Sequence, residues 1–267
     1  MIEGIASRTA RSVAAHRLDY SRLQTPYGDP AADEALARDV AAGLEPTQGR
    51  MHDSLRKRTA FFDRVVVNTL DRGDGQVVVV GAGYDGRSLR YARPGTTWFE
   101  LDHPDTQADK RERLGRLGID AGHVRFIPAD FTTDPIADRL VAAGLDPHRP
   151  ALFLLEGVAV YLTSEVLEGL LAELRSVTPS RSELAISTLT WPDGQARARF
   201  IESVAAVGEQ VRSLLSAEEL SGLLARTGWQ VTDPGDPGPG RRVPAGLLAA
   251  RAIPLRPERR FVRADRS

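Results

Sequence analysis

The spacing of apolar and polar positions changes once along the chain, near residue 50. Residues 1–50 are polar and Ala-rich, with turn signals at Pro26-Tyr27-Gly28 and Asp29-Pro30. Helices are expected there around 6–18 and 32–43. Residues 51–70 place Leu55, Phe62, Val66 and Leu70 at spacings of seven and four, a helical face that can pack on a sheet. From Gln76 the pattern alternates. Strands are expected at 76–81, 96–101, 123–129, 151–156 and 183–189, and helices at 85–92, 104–117, 134–144, 164–177, 195–207 and 216–227. Four consecutive valines, Val77 to Val80, suit a strand covered on both faces. Such alternation implies parallel strands joined by right-handed crossovers, hence a doubly wound α/β sheet. Residues 229–232 read as a further strand and 247–253 as a last, antiparallel one. The expected organisation is one domain over 1–267. It has an N-terminal helical cap (1–50), a core (51–253) with a substrate-side insertion about 191–242, and a charged tail (254–267). No internal repeat is present.

Composition narrows the function more than the fold. At 42% hydrophobic and 27% charged, the 267 residues have the balance of a globular protein. With 35 basic and 36 acidic residues the net charge is −1, which gives no support for a nucleic-acid partner. No run of about 18 apolar residues offers a membrane span. The N-terminus lacks the apolar core of a secretory signal, so a cytoplasmic protein is expected. The absence of cysteine excludes disulfides, thiolate zinc sites and a cysteine nucleophile, and no metal is expected. Only Lys57 and Lys110 are lysine, a bias of GC-rich bacterial genomes.

The valine run ends in Gly81-Ala82-Gly83-Tyr84-Asp85-Gly86. Gly81 and Gly83 let the backbone turn sharply and approach a ligand without a Cβ in the way. The spacing also fits the dinucleotide fingerprint, in which a pyrophosphate sits on the next helix N-terminus. About twenty residues on, Glu100 and Asp102 end the next strand. Asp102, nearer its carboxyl end, is placed to accept from ribose hydroxyls, or else to cap the helix opening at Pro104. Asp130 and Phe131 end the third strand, as a contact to a base and its wall or as an ordinary turn. Glu156 leaves a fully apolar fourth strand, which is costly unless it meets a partner. A cationic ligand or an ion pair with Arg58 would serve. Gly157 permits close approach, and Tyr161 is a packing or positioning residue.

Arg58-Thr59-Ala60-Phe61-Phe62-Asp63, then Val80 to Arg87, Phe99 to Pro104, Asp130-Phe131 and Glu156 to Leu162 occur in one order. Together, over roughly 50–190, they resemble the leucine carboxyl methyltransferase family, which includes tetracenomycin-type polyketide O-methyltransferases. The resemblance implies a Rossmann-like class I methyltransferase with a seven-stranded, mostly parallel sheet, helices on both faces, and S-adenosyl-L-methionine as cofactor. It places Arg58 on the cofactor carboxylate and Gly81, with Ala82 and Gly83, under the methionine part. Asp102 falls on the ribose, Asp130 and Phe131 on the adenine, and Glu156 with Gly157 near the ammonium and sulfonium. Two positions depart from the family pattern: Gly86, where Thr or Ser is frequent, and Phe131, where Leu is common. A loop flanked by Asp85 and lined by Glu156 would repel a pyrophosphate and suit the cations of this cofactor.

A carboxylate acceptor, with a pKa near ~4, is ionised at neutral pH and needs no general base, whereas a phenol near ~10 does. His52, Asp53 and His103 lie near the expected crevice without forming an acid–base pair. The expected partner is therefore a small-molecule or peptide carboxylic acid, of natural-product (polyketide biosynthesis) type, with His52, His103 and Tyr161 as positioning candidates. A homodimer is a possible assembly. Arg197, Arg199, Arg241 and Arg242 are candidates to hold an anionic acceptor. The alternatives are a hydroxyl O-methyltransferase, a nicotinamide-dependent oxidoreductase (which would lack a Tyr-x-x-x-Lys pair here) and a non-catalytic ligand-binding protein.

Overall fold

The valine run forms β1 (Gln76–Val80), and all five of its residues are buried. The computed structural model describes residues 8–44, 50–73, 75–188, 194–205, 210–232 and 247–253. Strands β2 (Thr97–Asp102), β3 (Val124–Pro128), β4 (Leu152–Leu155) and β5 (Glu183–Ser187) join β1 in parallel. β7 (Leu247–Ala252) pairs antiparallel with β5 and with β6 (Trp229–Thr232), giving the order β3-β2-β1-β4-β5-β7-β6. The strands lie within two residues of their expected bounds, and the antiparallel last strand is borne out.

Strand periodicity divides the core between the two faces of the sheet. Val78, Val80, Phe99, Leu101, Phe153 and Leu155 face one way, with Leu167, Leu171 and Leu174 of α7 (Ser164–Ser176) and Leu220 and Leu224 of α9 (Ala217–Arg226). Val77, Val79, Trp98, Leu152 and Leu154 face the other way, beneath Phe62, Val66 and Leu70 of α3 (Arg50–Asp71). The expected helical face is therefore the one that covers the sheet.

Before α3 lie α1 (Arg8–Arg17) and α2 (Pro30–Ala41). Asp29 caps α2 by accepting from the Ala31 and Ala32 N–H groups at 3.0 Å each. Pro30 thus opens the helix rather than breaking it, since its missing N–H is not needed at that position. Ala14, Leu36 and Val40 bury against Tyr84, Leu89 and Leu114, so the cap is packed onto the glycine-loop end of the domain.

The remaining helices are α4 (Arg87–Arg90), α5 (Pro104–Arg116), α6 (Ile136–Ala142) and α8 (Gly194–Ala205). The helix expected over 85–92 is a single turn. Its four residues are all buried, including two arginines drawn into ion pairs, and Pro94 and Gly95 follow after Tyr91-Ala92-Arg93. No helix among the described residues is long and apolar enough to cross a membrane. Trp191, Pro192, Arg241, Arg242 and the tail lie outside the described residues, while Arg197 and Arg199 fall on α8, Arg199 exposed. The order in which strands are added switches sides between the parallel β1 and β4, which opens a crevice at their carboxyl ends.

Candidate functional site

The loop after β1 stays stitched to the neighbouring strand. Gly81 and Ala82 donate N–H groups to the Leu101 carbonyl at 2.8 and 3.0 Å. Gly81 and Gly83 take left-handed backbone, φ +66° and +51°. A Cβ at Gly81 would lie 2.4 Å from Val158 Cγ2, and one at Gly83 would lie 3.0 Å from Ala10 Cβ of α1. The bare backbone expected to face a ligand thus also makes room for β4's exit and for the cap.

Gly86 has a separate reason. A Cβ there would sit 1.9 Å from Asp33 Oδ1. Asp33, on α2, accepts from Arg22 Nη1 at 3.2 Å and Arg90 Nε at 2.5 Å. The departure from the family's Thr or Ser therefore admits a carboxylate of the cap. Replacing Gly86 by Ser is expected to cost about 1–3 kcal/mol by overpacking, read as a lowered midpoint in thermal unfolding.

The dinucleotide reading loses its anion site. The Arg87 N–H, at the start of α4, is already taken by Asp85 Oδ1 at 2.9 Å, and α4 has only four residues.

Asp102 is half-buried at the end of β2. Its oxygens accept from the Gly83 N–H at 2.5 Å and the His103 N–H at 2.6 Å. It therefore ties the glycine loop to β2, and the cap of α5 is His103 instead, whose Nδ1 accepts from the Asp105 N–H. Burial raises Asp102 from the ordinary 3.8 to about 6, against the two backbone donors that favour its charge. Glu100, two residues earlier, is buried in a bond with Lys110 Nζ at 2.5 Å and Ser88 Oγ at 2.6 Å. Lys110 also donates to the Asp85 carbonyl at 2.7 Å, so this pair supports the loop from below.

Asp130 accepts at Oδ1 from both the N–H and the hydroxyl of Thr132, at 2.8 and 2.7 Å. The Thr132 bond lowers its pKa, with the positive charge of Arg212 nearby acting in the same direction. Phe131 packs against the core.

Glu156 changes most against expectation. One partner, Arg58, was expected, but three arginines meet it. Arg58 Nε lies at 2.9 Å, Arg17 Nη2 at 3.2 Å and Arg87 Nη1 at 2.5 Å. Burial would push this carboxyl up, and the three guanidiniums overcome it and hold it well below the usual range. Asp85 is likewise lowered despite burial, by Arg17 at 3.3 Å and Arg87 at 2.5 Å. The expectation of a net acidic pocket is thereby corrected: three guanidiniums face two carboxylates, because burying either acid unpaired would be too costly.

Behind them, fully buried Asp63 accepts from Arg22 Nε and Nη2 at 2.5 and 2.9 Å and from Arg87 Nε at 2.7 Å. Arg17, Arg22, Asp63 and Arg87 were not singled out from sequence. Asp63 had a signal, since it shares the helical face of Thr59, Phe62, Val66 and Leu70. Arg17 had none.

The other candidates serve local structure. His52 packs edge-on against His16 and Tyr20, with ring centroids at 5.7 and 5.0 Å, and its carbonyl accepts from the Tyr20 hydroxyl. Burial, then His52, lowers the His16 pKa. The Tyr161 hydroxyl bonds Thr9 Oγ1 of α1 at 3.2 Å. Gly157 (φ +74°) donates to Ser187 Oγ, and a Cβ there would lie 3.4 Å from Arg58 Nη1.

These residues fit a zwitterionic nucleoside cofactor. Arg17 Nε is buried with no hydrogen-bond partner, a donor awaiting an acceptor. The terminal nitrogens of Arg58 take no partner among the described residues. A carboxylate would satisfy both, an ammonium would suit Glu156 and Asp85, and Asp102 keeps lone pairs for hydroxyl donors.

The family model described as leucine carboxyl methyltransferase matches residues 7–175. A protein of Mycobacterium avium, named as a candidate S-adenosyl-L-methionine-dependent methyltransferase, is 32% identical over 205 residues, covering 76% of this chain and 65% of that one. The chain thus spans a little under two thirds of that relative's length. A protein of the same description from Saccharopolyspora erythraea is 31% identical over 256 residues, covering 91% and 86%. The crystal structure of a candidate methyltransferase from Thermobifida fusca shares the fold, with a TM-score of 0.61 at 18% identity over 94% of this chain and 96% of that one.

Proposed function

Because the chain belongs to the leucine carboxyl methyltransferase family, we propose that it transfers a methyl group from S-adenosyl-L-methionine to a carboxylate oxygen of a small molecule or peptide. Bound cofactor supplies an electrophilic methyl on a sulfonium. Arg58 and Arg17 hold the cofactor carboxylate, Asp85 and Glu156 the ammonium, Asp102 the ribose hydroxyls, and Asp130 with Phe131 the adenine. Gly81, Ala82, Gly83 and Gly157 form the floor. The protein's task is alignment and exclusion of water, with α1 lying over the loop. Alignment of this kind is worth up to ~7–11 kcal/mol of barrier. Acceptor choice falls to the cap and to the segment after Thr190.

One observation carries the carboxylate reading. Each candidate proton acceptor serves a local contact: His103 Nδ1 caps α5, His52 packs against His16 and Tyr20, Asp53 pairs with Arg56 at 3.6 Å, and the Tyr161 hydroxyl meets Thr9. An acceptor that arrives already ionised needs none of them. Labelled methyl transfer to a panel of carboxylic acids and matched phenols tests this. Carboxylic acids are expected to be methylated, and His52→Gln with His103→Gln to keep turnover within about fivefold, because a true general base contributes ~10²–10⁴. Transfer to phenols alone, or loss of several orders of magnitude in the His variants, overturns the carboxylate reading.

A further inference from the structure

We propose that Arg87 is a positioning residue for the cofactor's amino-acid end, acting through Asp85 and Glu156 without touching the cofactor. The inference rests on the placement of that end given above.

Arg87 is wholly buried. Its Nη1 donates to Asp85 Oδ2 and to Glu156 Oε2, both at 2.5 Å. Nε donates to Asp63 Oδ1 at 2.7 Å and Nη2 to the Thr59 carbonyl at 3.3 Å. The Phe62 ring lies 5.5 Å from its Cζ. All three nitrogens are thus committed to protein. Arg17 and Arg58 differ, since each keeps a donor without a partner among the described residues.

Two carboxylates that share one guanidinium nitrogen are close enough to repel each other. In a buried setting one of them would protonate or swing away unless a cation stood between them. Arg17 Nη2 stands there too, at 3.3 and 3.2 Å from the same two oxygens, but Arg87 is the closer cation and the one whose every nitrogen is bound to protein. Its planar fork fixes where both carboxylates point, which a compact ammonium could not do for three acids at once. Its own position is fixed from behind, because Asp63 grips it together with Arg22 from the turn after α1. The order of contacts runs from cap to Asp63, to Arg87, to the two acids, and ends where an ammonium would bind.

Calorimetry with the full chain tests this with three probes. S-adenosylmethionine and S-adenosylhomocysteine carry the amino-acid end, and 5′-methylthioadenosine lacks it. In Arg87→Met the first two are expected to bind about 30-fold more weakly, the scale of one charge-assisted hydrogen bond, while the third stays within about threefold. Arg87→Lys keeps the charge without the fork and is expected to show the same selective loss in smaller measure. It carries the test if the Met variant does not fold. Equal weakening of all three probes, or no weakening of any, overturns the role of Arg87. If wild-type protein binds 5′-methylthioadenosine but gains nothing from the amino-acid end, the placement of that end fails instead.

Discussion

Replacing Asp63 by Ala is expected to destabilise the protein by about 3–5 kcal/mol, the cost of leaving buried cations without their partner. For a chain of this size that is roughly a 10 °C fall in unfolding midpoint. The reason is geometric. Asp63 is the shared acceptor for Arg22 and Arg87, both enclosed, and no solvent can replace it. Asp63→Asn, which keeps one acceptor oxygen, should lose less. The acid response gives a second reading. Burial would raise the Asp63 carboxyl, but Arg87 and Arg22 lower it below 3.8. A depressed carboxyl contributes stability that is present above its unfolded value and lost as pH falls through its folded value. Wild-type protein should therefore lose this increment only in acid below about pH 4, and the Ala variant should lack that step. A melt unchanged within about 1 kcal/mol, judged against usual single-site effects, would show that the two arginines find other partners.

On the proposed placement of the ribose, Asp102→Asn should weaken S-adenosylmethionine binding roughly a hundredfold, from the loss of charge-assisted bonds to two hydroxyls. Here pH separates binding from stability. Asp102 is raised to about 6 by burial. Its contribution to apo stability is complete below the unfolded value near 3.8 and is lost as pH rises through about 6. Cofactor affinity follows the opposite course, because the ionised form is the acceptor, and it should rise through the same interval. Titration of affinity between about pH 5 and 8 should show that step in wild type and none in the Asn variant. A step of equal size in both would assign the titration to another group.

Part of the candidate site is legible in the sequence. An acid at the end of a wholly apolar strand is a local anomaly. Glu156 stands out in that way, Asp102 by closing a strand about twenty residues after Gly81 and Gly83, and those glycines by following four valines. Asp63 was weaker but visible, a charge on the apolar face of a helix. Apart from Arg58, the partners of these acids leave no such trace. Arg17 meets Glu156 across 139 residues of chain and Arg87 meets it across 69. Arginine at either position looks no different from a solvated surface arginine until the chain has folded. The net charge of the crevice stays hidden for the same reason, because Arg58 is the one cation that the sequence pairs with Glu156, and Arg17 and Arg87 reach it through folding.

What the amino-acid sequence determined alone is what short-range physics controls. Apolar runs of strand length, an apolar helical face, proline at a helix start and glycine at a turn act over a few residues. They lead to the seven-stranded sheet and to the crevice at the carboxyl ends of β1 and β4. Tertiary structure alone decided the electrostatics of that crevice. Whether a buried carboxylate is costly, ionised or free to bind depends on cations brought by α1, α3 and α4 from distant parts of the chain. In a medium of low dielectric, contacts made only on folding outweigh what any residue brings by itself.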